Sequence, residues 1–406
     1  MSDSNNFKGY SIRDFQFWRI VGSLGLASMF IFGSMYSVQP ILPMFTKEFD
    51  VKVSYSSMMM SLTTVGLIIG LIVLGFFSDR IGRTNFVRFS IIGSVLPFFL
   101  MTLSDNFVWI IILRFIQGFL LAGVPAAVLA YISEEIDKRF LSVATALYIS
   151  CNALGGMIGR VVTGYATEHF SWEIAFYILA VSGIFVFILV LVTLPKSRNF
   201  QPQEASFRDD LDGFAYHFKN PSLLLMFGLG IVLQLSFTGI WTYIPFHLTN
   251  SPFSLSIDAV SNIFFAYGLG VIGSPLASWM AGKIGQRKVL ISGVFMLSMG
   301  ILLTNSSSVW MIVVGLCVVC LGFFTAHSLA ASSVSREASH HKGSASSLYL
   351  VSYYIGVGVG STLLGPLWER LGWSGLVTIT AIVPVIYVVF VMLIQYWNAK
   401  KRLGQN

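Results

Sequence analysis

The stretch Gly75-Phe76-Phe77-Ser78-Asp79-Arg80-Ile81-Gly82-Arg83 lies between two strongly apolar segments and decides the fold. A degenerate copy of it, Ala281-Gly282-Lys283-Ile284-Gly285-Gln286-Arg287, lies 203 residues further along a chain of 406 residues. Each copy is a short charged turn, punctuated by glycine, between two segments apolar enough to be helices. Repetition at half the chain length predicts two related helical bundles.

The composition indicates a protein that resides in a lipid bilayer. Hydrophobic residues make up 55% of the chain, charged residues only 11%, and the mean hydropathy is +0.77, whereas a soluble domain carries more charge. The net charge of +7 resides in loops, with no basic patch interleaved with aromatics, and does not indicate binding to nucleic acid. The three cysteines lie in apolar segments, and we interpret them as packing residues.

Twelve apolar segments are long enough, at about 20 residues each, to span a bilayer. The fold class is therefore predicted as an all-α membrane protein with twelve transmembrane helices in two pseudo-symmetric six-helix bundles. The predicted domains are a first bundle over 1–194, a cytoplasmic linker over 195–220 and a second bundle over 221–406. The predicted helices cover residues 20–45, 54–77, 85–103, 108–131, 142–166, 173–194, 222–246, 259–281, 288–304, 309–333, 345–366 and 375–397.

The distribution of Lys and Arg predicts the orientation. If both termini lie in the cytoplasm, 20 of the 25 basic residues fall on the cytoplasmic side, three fall in outer loops and two lie within helices. Cytoplasmic loops of membrane proteins carry such an excess of basic residues. We therefore expect a multi-pass protein of the inner membrane with both ends in the cytoplasm.

The repeat extends well beyond the turn. Gly118 in predicted helix 4 matches Gly322 in predicted helix 10. A single offset of 201 residues aligns predicted helices 5 and 11, where Leu147, Tyr148, Gly155, Gly159, Gly164 and Trp172 match Leu348, Tyr349, Gly356, Gly360, Gly365 and Trp373. Internal duplication of a six-helix unit is typical of secondary transporters, which work by alternating access.

These residues also make the chain resemble the major facilitator superfamily over essentially its whole length. The turn that ends in Asp79-Arg80-Ile81-Gly82-Arg83 is similar to that family's signature between helices 2 and 3, and Arg114-Phe115-Ile116-Gln117-Gly118 to its R-x-x-Q-G motif. Within the family, the chain most resembles the bacterial drug:proton antiporter branch, notably an acriflavine-sensitivity and arabinose-efflux group. Three stretches carry this closer resemblance, namely Tyr131–Ile136, Ala326–Ser328 and Ser346–Leu350.

One motif departs from that branch. Drug antiporters usually carry G-P-x-x-G-G in helix 5, whereas this chain has Gly155-Gly156-Met157-Ile158-Gly159-Arg160. Glycine thus stands at the proline position and arginine at the last glycine. The departure weakens the implication that transport is coupled to proton exchange, but it does not affect the prediction of transport itself.

The resemblance implies a conformational latch at the cytoplasmic surface, formed by Asp79, Arg80 and Arg83 with Glu134 and Glu135 at the end of predicted helix 4. Asp79 can cap a helix N-terminus, and the arginines can pair with the two glutamates. The alternative is a solvated turn whose positive charge only sets topology. The second copy has glycine at the Asp79 position, so we expect the latch in the first repeat only.

Two arginines, Arg114 and Arg160, lie inside predicted helices 4 and 5. An arginine at the bilayer centre costs roughly 2.5–3.5 kcal/mol on insertion scales, so it normally faces a cavity or a partner. Each is roughly 9 Å below the outer surface, at 1.5 Å per residue. They form either a positive wall of the transport cavity or structural cross-links to backbone carbonyls, Gln39 and Asn152.

No Asp or Glu falls in the central part of any predicted helix, which makes a lipophilic cation a poor substrate and favours an anion or a zwitterion. His327 in predicted helix 10 is the titratable group that can load and release a proton near neutral pH. Alternatively, it serves only as an interhelical hydrogen-bond partner. Aromatic and hydrogen-bonding residues complete the predicted substrate pocket: Tyr36, Gln39, Asn152, Gln234, Trp241, Tyr243, Tyr353 and Tyr354.

The predicted function is secondary active export of a small organic molecule in exchange for protons, by a monomer without cofactor or metal. A first alternative keeps the fold but assigns uptake or facilitated exchange of an organic anion bound by Arg114 and Arg160. A second is a membrane enzyme or a non-transporting sensor. The sequence contains no HExxH, GxSxG or P-loop motif and no long extramembrane segment, which argues against this second alternative.

Overall fold

The computed structural model describes residues 9–200, 216–337 and 342–403, and these ranges are almost entirely helical. Eleven helical stretches within them are long and apolar enough to cross a membrane, and a helix over Lys342–Gly358 occupies the place of the remaining predicted span. The predicted all-helical membrane fold is confirmed. The principal helices are α1 Phe15–Tyr36, α2 Met58–Ile81, α3 Arg83–Met101, α4 Phe107–Glu135, α5 Leu141–His169, α6 Trp172–Thr193, α7 Pro221–Thr249, α8 Ile257–Ile284, α9 Gln286–Leu303, α10 Val309–Glu337, α11 Lys342–Gly358 and α12 Gly365–Leu403.

Several helix ends differ from the predicted ones, and the differences are largest at the end of α1 and the start of α12. Predicted helix 1 covers 20–45, but α1 ends at Tyr36, and a short helix over Leu42–Glu48 follows it. Pro40 and Pro43 account for the break, because proline lacks the N–H that an α-helix requires. At the other end of the chain, α12 begins ten residues earlier than predicted and contains a non-helical Gly372 with φ 63°.

The described residues cluster into two compact units. Unit 1 contains residues 9–51, 58–200 and 256–264, and unit 2 contains residues 52–57, 216–255, 265–337 and 342–403. Most of unit 1 thus comes from the first half of the chain and most of unit 2 from the second half. The central part of the predicted linker, 201–215, lies outside the described residues.

The two units pair their helices in the same way. In unit 1, α1 packs against α5, α2 against α4 and α3 against α6. In unit 2, α7 packs against α11, the 268–284 part of α8 against α10, and α9 against α12. The structure therefore confirms the pseudo-symmetry that the repeated glycines predicted.

Glycine is required where the equivalent helices cross. A Cβ atom added to Gly155 would overlap the backbone of Met29 in α1, and one added to Gly356 would overlap the backbone carbonyl of Ile231 in α7. Small residues at membrane helix crossings permit this close approach.

The glycine of each charged turn has a conformation that other residues rarely adopt. Gly82 has φ 120° and directly precedes α3, and Gly285 has φ 94° and directly precedes α9. Glycine reaches positive φ without steric cost. This backbone requirement explains why the glycine survives in the degenerate second copy of the turn.

A matched pair of hydrogen bonds, which the sequence did not predict, follows the same repeat. In unit 1, Glu168 Oε2 accepts from the Ile257 backbone N–H at 2.9 Å, and in unit 2, Glu369 Oε1 accepts from the Ser54 N–H at 3.0 Å. The two glutamates are 201 residues apart and the two donors 203, the separations already found for α5/α11 and for the charged turns. The duplication therefore extends to individual side-chain contacts.

Candidate functional site

Arg114 is fully buried in unit 1, and its guanidinium joins three helices. Nη1 donates to the Ser34 carbonyl at 3.1 Å and to Gln117 Oε1 at 2.6 Å, and Nη2 donates to the Met35 carbonyl at 2.7 Å. Nε donates to the Met59 carbonyl at 3.4 Å. In this conformation the Arg114 donors are engaged by α1, α2 and α4, which corresponds to the structural alternative raised by the sequence.

Gln117 extends this network to a fourth helix. Its amide Nε2 donates to the Ser94 carbonyl of α3 at 2.9 Å, and the side chain is fully buried. Sequence analysis gave Gln117 no role of its own. The i, i+3 spacing from Arg114, which places both side chains on one helix face, is the signal that could have identified the pair.

Arg160 is also buried in unit 1, and it contacts two other predicted pocket residues, Gln39 and Tyr36. Its Nε donates to Gln39 Oε1 at 2.7 Å, and Nη1 donates to the Gly156 carbonyl at 2.7 Å. The guanidinium carbon lies 4.4 Å from the ring centre of Tyr36 and 5.1 Å from that of Phe264. Such cation–π contacts are favourable in desolvated surroundings.

Asn152 belongs to a separate polar cluster between α1 and α5. Its Oδ1 accepts a hydrogen bond from the Ser28 hydroxyl. The Tyr148 hydroxyl lies close to both side chains. The described contacts of Asn152 are therefore with neutral hydroxyl groups.

Two of the residues predicted to form a latch, Arg83 and Glu134, form an ion pair in unit 1. Arg83 Nη2 lies 3.0 Å from Glu134 Oε1, and the pair is mostly buried, with side-chain exposures of 5% and 19%. Arg80 donates to the Phe76 carbonyl at 2.8 Å and lies 3.5 Å from the centre of the Phe76 ring. The side chain of Asp79 lies outside the part of the structure that is described.

Glu135 holds the chain that leaves α6. Its Oε1 accepts from the Ser197 hydroxyl at 2.7 Å and from the backbone N–H groups of Arg198 and Asn199 at 2.6 and 2.8 Å. The carboxylate is almost fully buried. The two predicted glutamates thus share Ser197, whose hydroxyl also lies 3.4 Å from Glu134 Oε2, but Glu134 pairs with Arg83 whereas Glu135 binds the backbone at the start of the predicted linker.

His327 lies in α10 of unit 2 and is half-buried. The Tyr349 hydroxyl lies 3.0 Å from His327 Nδ1, a hydrogen-bonding distance. The imidazole stacks on Phe323, with ring centres 5.3 Å apart and planes inclined by 5°, and lies 4.9 Å from the ring of Tyr353. The titratable group predicted from the sequence is therefore in contact with a predicted pocket tyrosine, Tyr353, which is also half-buried.

Further rings extend this contact into an aromatic ladder. Phe237 stacks on Phe323 with ring centres 3.9 Å apart, and Tyr267 contacts both Phe237 and Trp241, at 5.4 and 4.6 Å. Sequence analysis identified Trp241 but missed Phe237, Tyr267 and Phe323. We use the term aromatic ladder for Phe237, Trp241, Tyr267, Phe323, His327 and Tyr353.

The remaining predicted pocket residues are buried in unit 2. Gln234 donates from Nε2 to the Thr238 hydroxyl at 2.8 Å, and its Oε1 has no hydrogen-bond partner among the described residues. Tyr243 donates to the Ser361 carbonyl at 2.6 Å, and Tyr354 contacts Tyr353 with ring centres 5.1 Å apart. Tyr243 thus binds the backbone beyond the end of α11, whereas Tyr354 adjoins the ladder.

Within the described ranges, no group of three or more His, Cys, Asp or Glu side chains could hold a metal ion. The acids of the described helices lie close to helix ends. The chemistry available inside unit 2 is therefore that of aromatic rings, hydroxyl and amide groups and the imidazoles of His217, His247 and His327.

Comparison with known proteins gives consistent results. The family model described as Major Facilitator Superfamily matches residues 24–269 and 226–405. The inner membrane transport protein YnfM of Escherichia coli is 36% identical over 91% of this chain and 89% of its own length. An uncharacterised transporter of Buchnera aphidicola from Schizaphis graminum is 35% identical over 92% of this chain and 90% of its own.

Solved structures agree on the fold. A bacterial homologue of the human lysosomal transporter Spinster, in an inward-facing and unoccupied conformation, superposes with a TM-score of 0.76 at 12% identity. The superposition covers 94% of this chain and 96% of that protein.

Proposed function

Because the chain belongs to the Major Facilitator Superfamily, and is thus a multi-pass membrane transporter, we propose that it exports a small organic molecule in exchange for protons. The observation that carries the proposal is the half-buried His327 of α10, with the Tyr349 hydroxyl 3.0 Å from its Nδ1. The imidazole of His327, which can accept a proton, is thus part of the aromatic ladder. Alternating access would expose this site to each side of the membrane in turn.

Exchange requires that the proton and the substrate exclude one another. A neutral imidazole that hydrogen-bonds with Tyr349 can accept a proton at its free nitrogen, and it then becomes a cation among aromatic rings. A substrate packed against the half-buried Tyr353 would cover the same imidazole. Binding of either ligand then lowers the affinity for the other, which is the negative coupling that antiport needs.

The side chains of unit 2 favour a substrate with an aromatic or otherwise flat apolar part. The half-buried rings of His327 and Tyr353, packed on buried aromatic neighbours, supply an apolar surface, while His327 and the tyrosine hydroxyls supply a few directional hydrogen bonds. In unit 1, Arg114 remains a cation whose described partners are neutral oxygens. We therefore propose a neutral, zwitterionic or anionic substrate rather than a lipophilic cation.

The contacts of Arg114 give less support to uptake of an organic anion held by the two buried arginines. Its donors are engaged by three carbonyl oxygens and Gln117 in this conformation, so an anion would have to displace them. At the aromatic ladder, by contrast, the rings of His327 and Tyr353 are only half-buried, so a substrate can contact them without displacing the partners of a buried cation. This difference is why we propose proton-coupled export first.

The test uses purified protein in liposomes that contain a pH-sensitive dye, with anionic, zwitterionic and cationic aromatic compounds added under an imposed proton gradient. We expect proton movement only with particular compounds, and its loss in His327→Gln. His247→Gln is the matched control, because His247 is a half-buried histidine of the same unit that stacks on Trp373 outside the ladder. Substrate flux without proton movement, or an unchanged signal in His327→Gln, would contradict the proposal.

A further inference from the structure

Unit 2 contains another candidate site, which is lined by both polar and apolar residues. It lies at the end of the helices opposite the predicted outer loops. A cavity of about 340 Å³ lies at the end of the unit that carries the α8–α9 turn, and residues of α7, α9, α10 and α12 line it. The distribution of Lys and Arg predicts that this end faces the cytoplasm. The volume falls in the range of small-molecule sites, roughly 300–1,000 Å³.

The inner wall of the cavity is apolar. Met226 and Leu229 contribute from α7, and Val388 and Met392 contribute from α12. Leu229 lies eight residues after the first residue of α7, which at 1.5 Å per residue places it roughly 12 Å from the helix start. This wall therefore extends away from the membrane surface into the apolar part of the unit.

The mouth of the cavity is positively charged. Arg287 is the second residue of α9, and Arg336 precedes the last residue of α10. Both are exposed, and neither has a hydrogen bond or ion pair with a described residue. Glu337 also lines the cavity, so these three charges sum to one positive charge at the mouth.

The start of α9 adds to this positive potential. Gly285 occupies the N-cap position and supplies no side-chain acceptor to the first turn. The first N–H groups of a helix lack intrahelical partners and carry the positive end of the helix dipole. An acidic group at the mouth would therefore meet both arginines and the start of a helix of 18 residues.

The equivalent position of unit 1 lacks this free charge. Arg83, which corresponds to Gln286 under the 203-residue repeat, pairs with Glu134 at 3.0 Å. Arg88 Nη2 donates to the carbonyls of Leu191 and Leu194 at 3.3 and 3.4 Å, where the chain leaves α6. The basic residues of the first repeat are thus engaged by protein groups, whereas Arg287 and Arg336 are available to a ligand.

We propose that this cavity binds a phospholipid with an anionic headgroup. The headgroup phosphate would lie against Arg287 and Arg336, and an acyl chain would run along Met226, Leu229, Val388 and Met392. Basic pockets between helices at the cytoplasmic side suit such headgroups. A free anion would leave the apolar wall uncovered, and a zwitterionic lipid would gain less from the positive mouth. These observations do not depend on the proposed transport reaction.

Native mass spectrometry of the full-length protein, released from nanodiscs with equal amounts of phosphatidylglycerol and phosphatidylcholine, tests the proposal. We expect phosphatidylglycerol to be retained preferentially. The double variant Arg287→Gln/Arg336→Gln should lower its retention about tenfold, because two charge-assisted contacts are removed. Lys288→Gln is the matched control, since this exposed lysine adjoins Arg287 but does not line the cavity.

A second variant tests the apolar part without a change in charge. Val391 lines the cavity, so Val391→Phe should fill part of it and also lower the retention of phosphatidylglycerol. Equal retention of the two lipids, or unchanged retention in both the double variant and Val391→Phe, would overturn the proposal. It would also be overturned if inorganic phosphate displaced the lipid and raised the melting temperature as much as phosphatidylglycerol does, because the ligand would then be a free anion.

Discussion

The two repeats share a backbone plan but carry different chemistry at equivalent places. Arg114 and Gln117 of α4 correspond to Val318 and Leu321 of α10, with the same separation of 204 residues that relates the repeated glycines of these helices. In unit 1 the polar pair joins four helices through buried hydrogen bonds. In unit 2 the same two positions are apolar.

The titratable histidine shows the opposite pattern, because it is present in unit 2 and absent from the equivalent position of unit 1. His327 of α10 corresponds to Gly123 of α4, and Tyr353 of α11 corresponds to Asn152 of α5. Unit 1 thus holds its buried arginines in a hydrogen-bonded network, while unit 2 holds His327 and the aromatic ladder. The comparison indicates that the two repeats share their helix packing, whereas the residues that we propose to bind ligand and proton differ between them.

The largest effect is expected when unit 1 is made to resemble unit 2 at its buried charge. Arg114→Val leaves the carbonyls of Ser34 and Met35 and the Gln117 amide without their donor, so it should destabilise the fold by roughly 3 kcal/mol or more. Thermal unfolding in detergent measures this. Arg139→Val is the control, because that side chain is 75% exposed and solvent screens its ion pair with Asp137, so we expect little change in stability.

A different outcome would reverse the interpretation of Arg114. If Arg114→Val unfolded at the wild-type temperature but raised the KM for an anionic substrate, the arginine would be a binding residue. Arg114 would then not be the structural residue that distinguishes unit 1 from the proposed ligand-binding residues of unit 2.

The next effect tests what the repeats share. Gly155→Ala and Gly356→Ala should each destabilise the fold by about 1–3 kcal/mol, because the added methyl group would overlap the backbone of the crossing helix. Gly358→Ala is the matched control, since an added Cβ there meets nothing within 4 Å. Thermal unfolding that responds to only one of the two crossings would contradict their structural equivalence.

The fold was predictable because its signals can be recognised in the sequence without knowledge of contacts in three dimensions. The length of apolar segments, the turn glycines Gly82 and Gly285, and the repeat between α5 and α11 each depend on neighbouring residues or on a fixed separation. The structure adds the details that depend on backbone geometry, such as the end of α1 before Pro40.

The candidate site was only partly predictable. The pattern of apolar segments predicts that Arg114 and His327 lie within the bilayer, but it does not identify the groups that they contact. The carbonyls of Ser34 and Met35 come within reach of Arg114 only through the way α1 passes α4. Likewise, nothing in the sequence distinguishes Phe237 and Phe323 from the other members of a set of 35 phenylalanines.

A smaller effect is expected at the charged turns. Arg83→Gln introduces the residue of the second repeat and removes the mostly buried pair with Glu134, so it should cost roughly 1–2 kcal/mol and lower the transport rate. The charge-reversed double variant Arg83→Glu/Glu134→Arg should restore part of the loss. Gln286→Arg is the reciprocal control, and we expect transport to be unchanged. Equal losses in Arg83→Gln and in the double variant would exclude the ion pair as the cause.

The smallest effect on stability, and the most selective one for coupling, is expected at a pair of equivalent tyrosines. Tyr349→Phe removes the hydroxyl that lies 3.0 Å from His327 Nδ1, whereas Tyr148→Phe removes the equivalent hydroxyl from neutral partners in unit 1. A lost hydrogen bond of about 1 kcal/mol corresponds to a roughly fivefold change. We therefore expect Tyr349→Phe to lower substrate-driven proton movement by about that factor and to shift its pH profile, while Tyr148→Phe leaves the profile in place.

The pH profile separates the two roles of the hydroxyl, since a tyrosine that only packs would change the rate equally at every pH. If both variants shifted the profile alike, proton coupling would not reside in unit 2, and the contrast between the repeats would be one of packing alone.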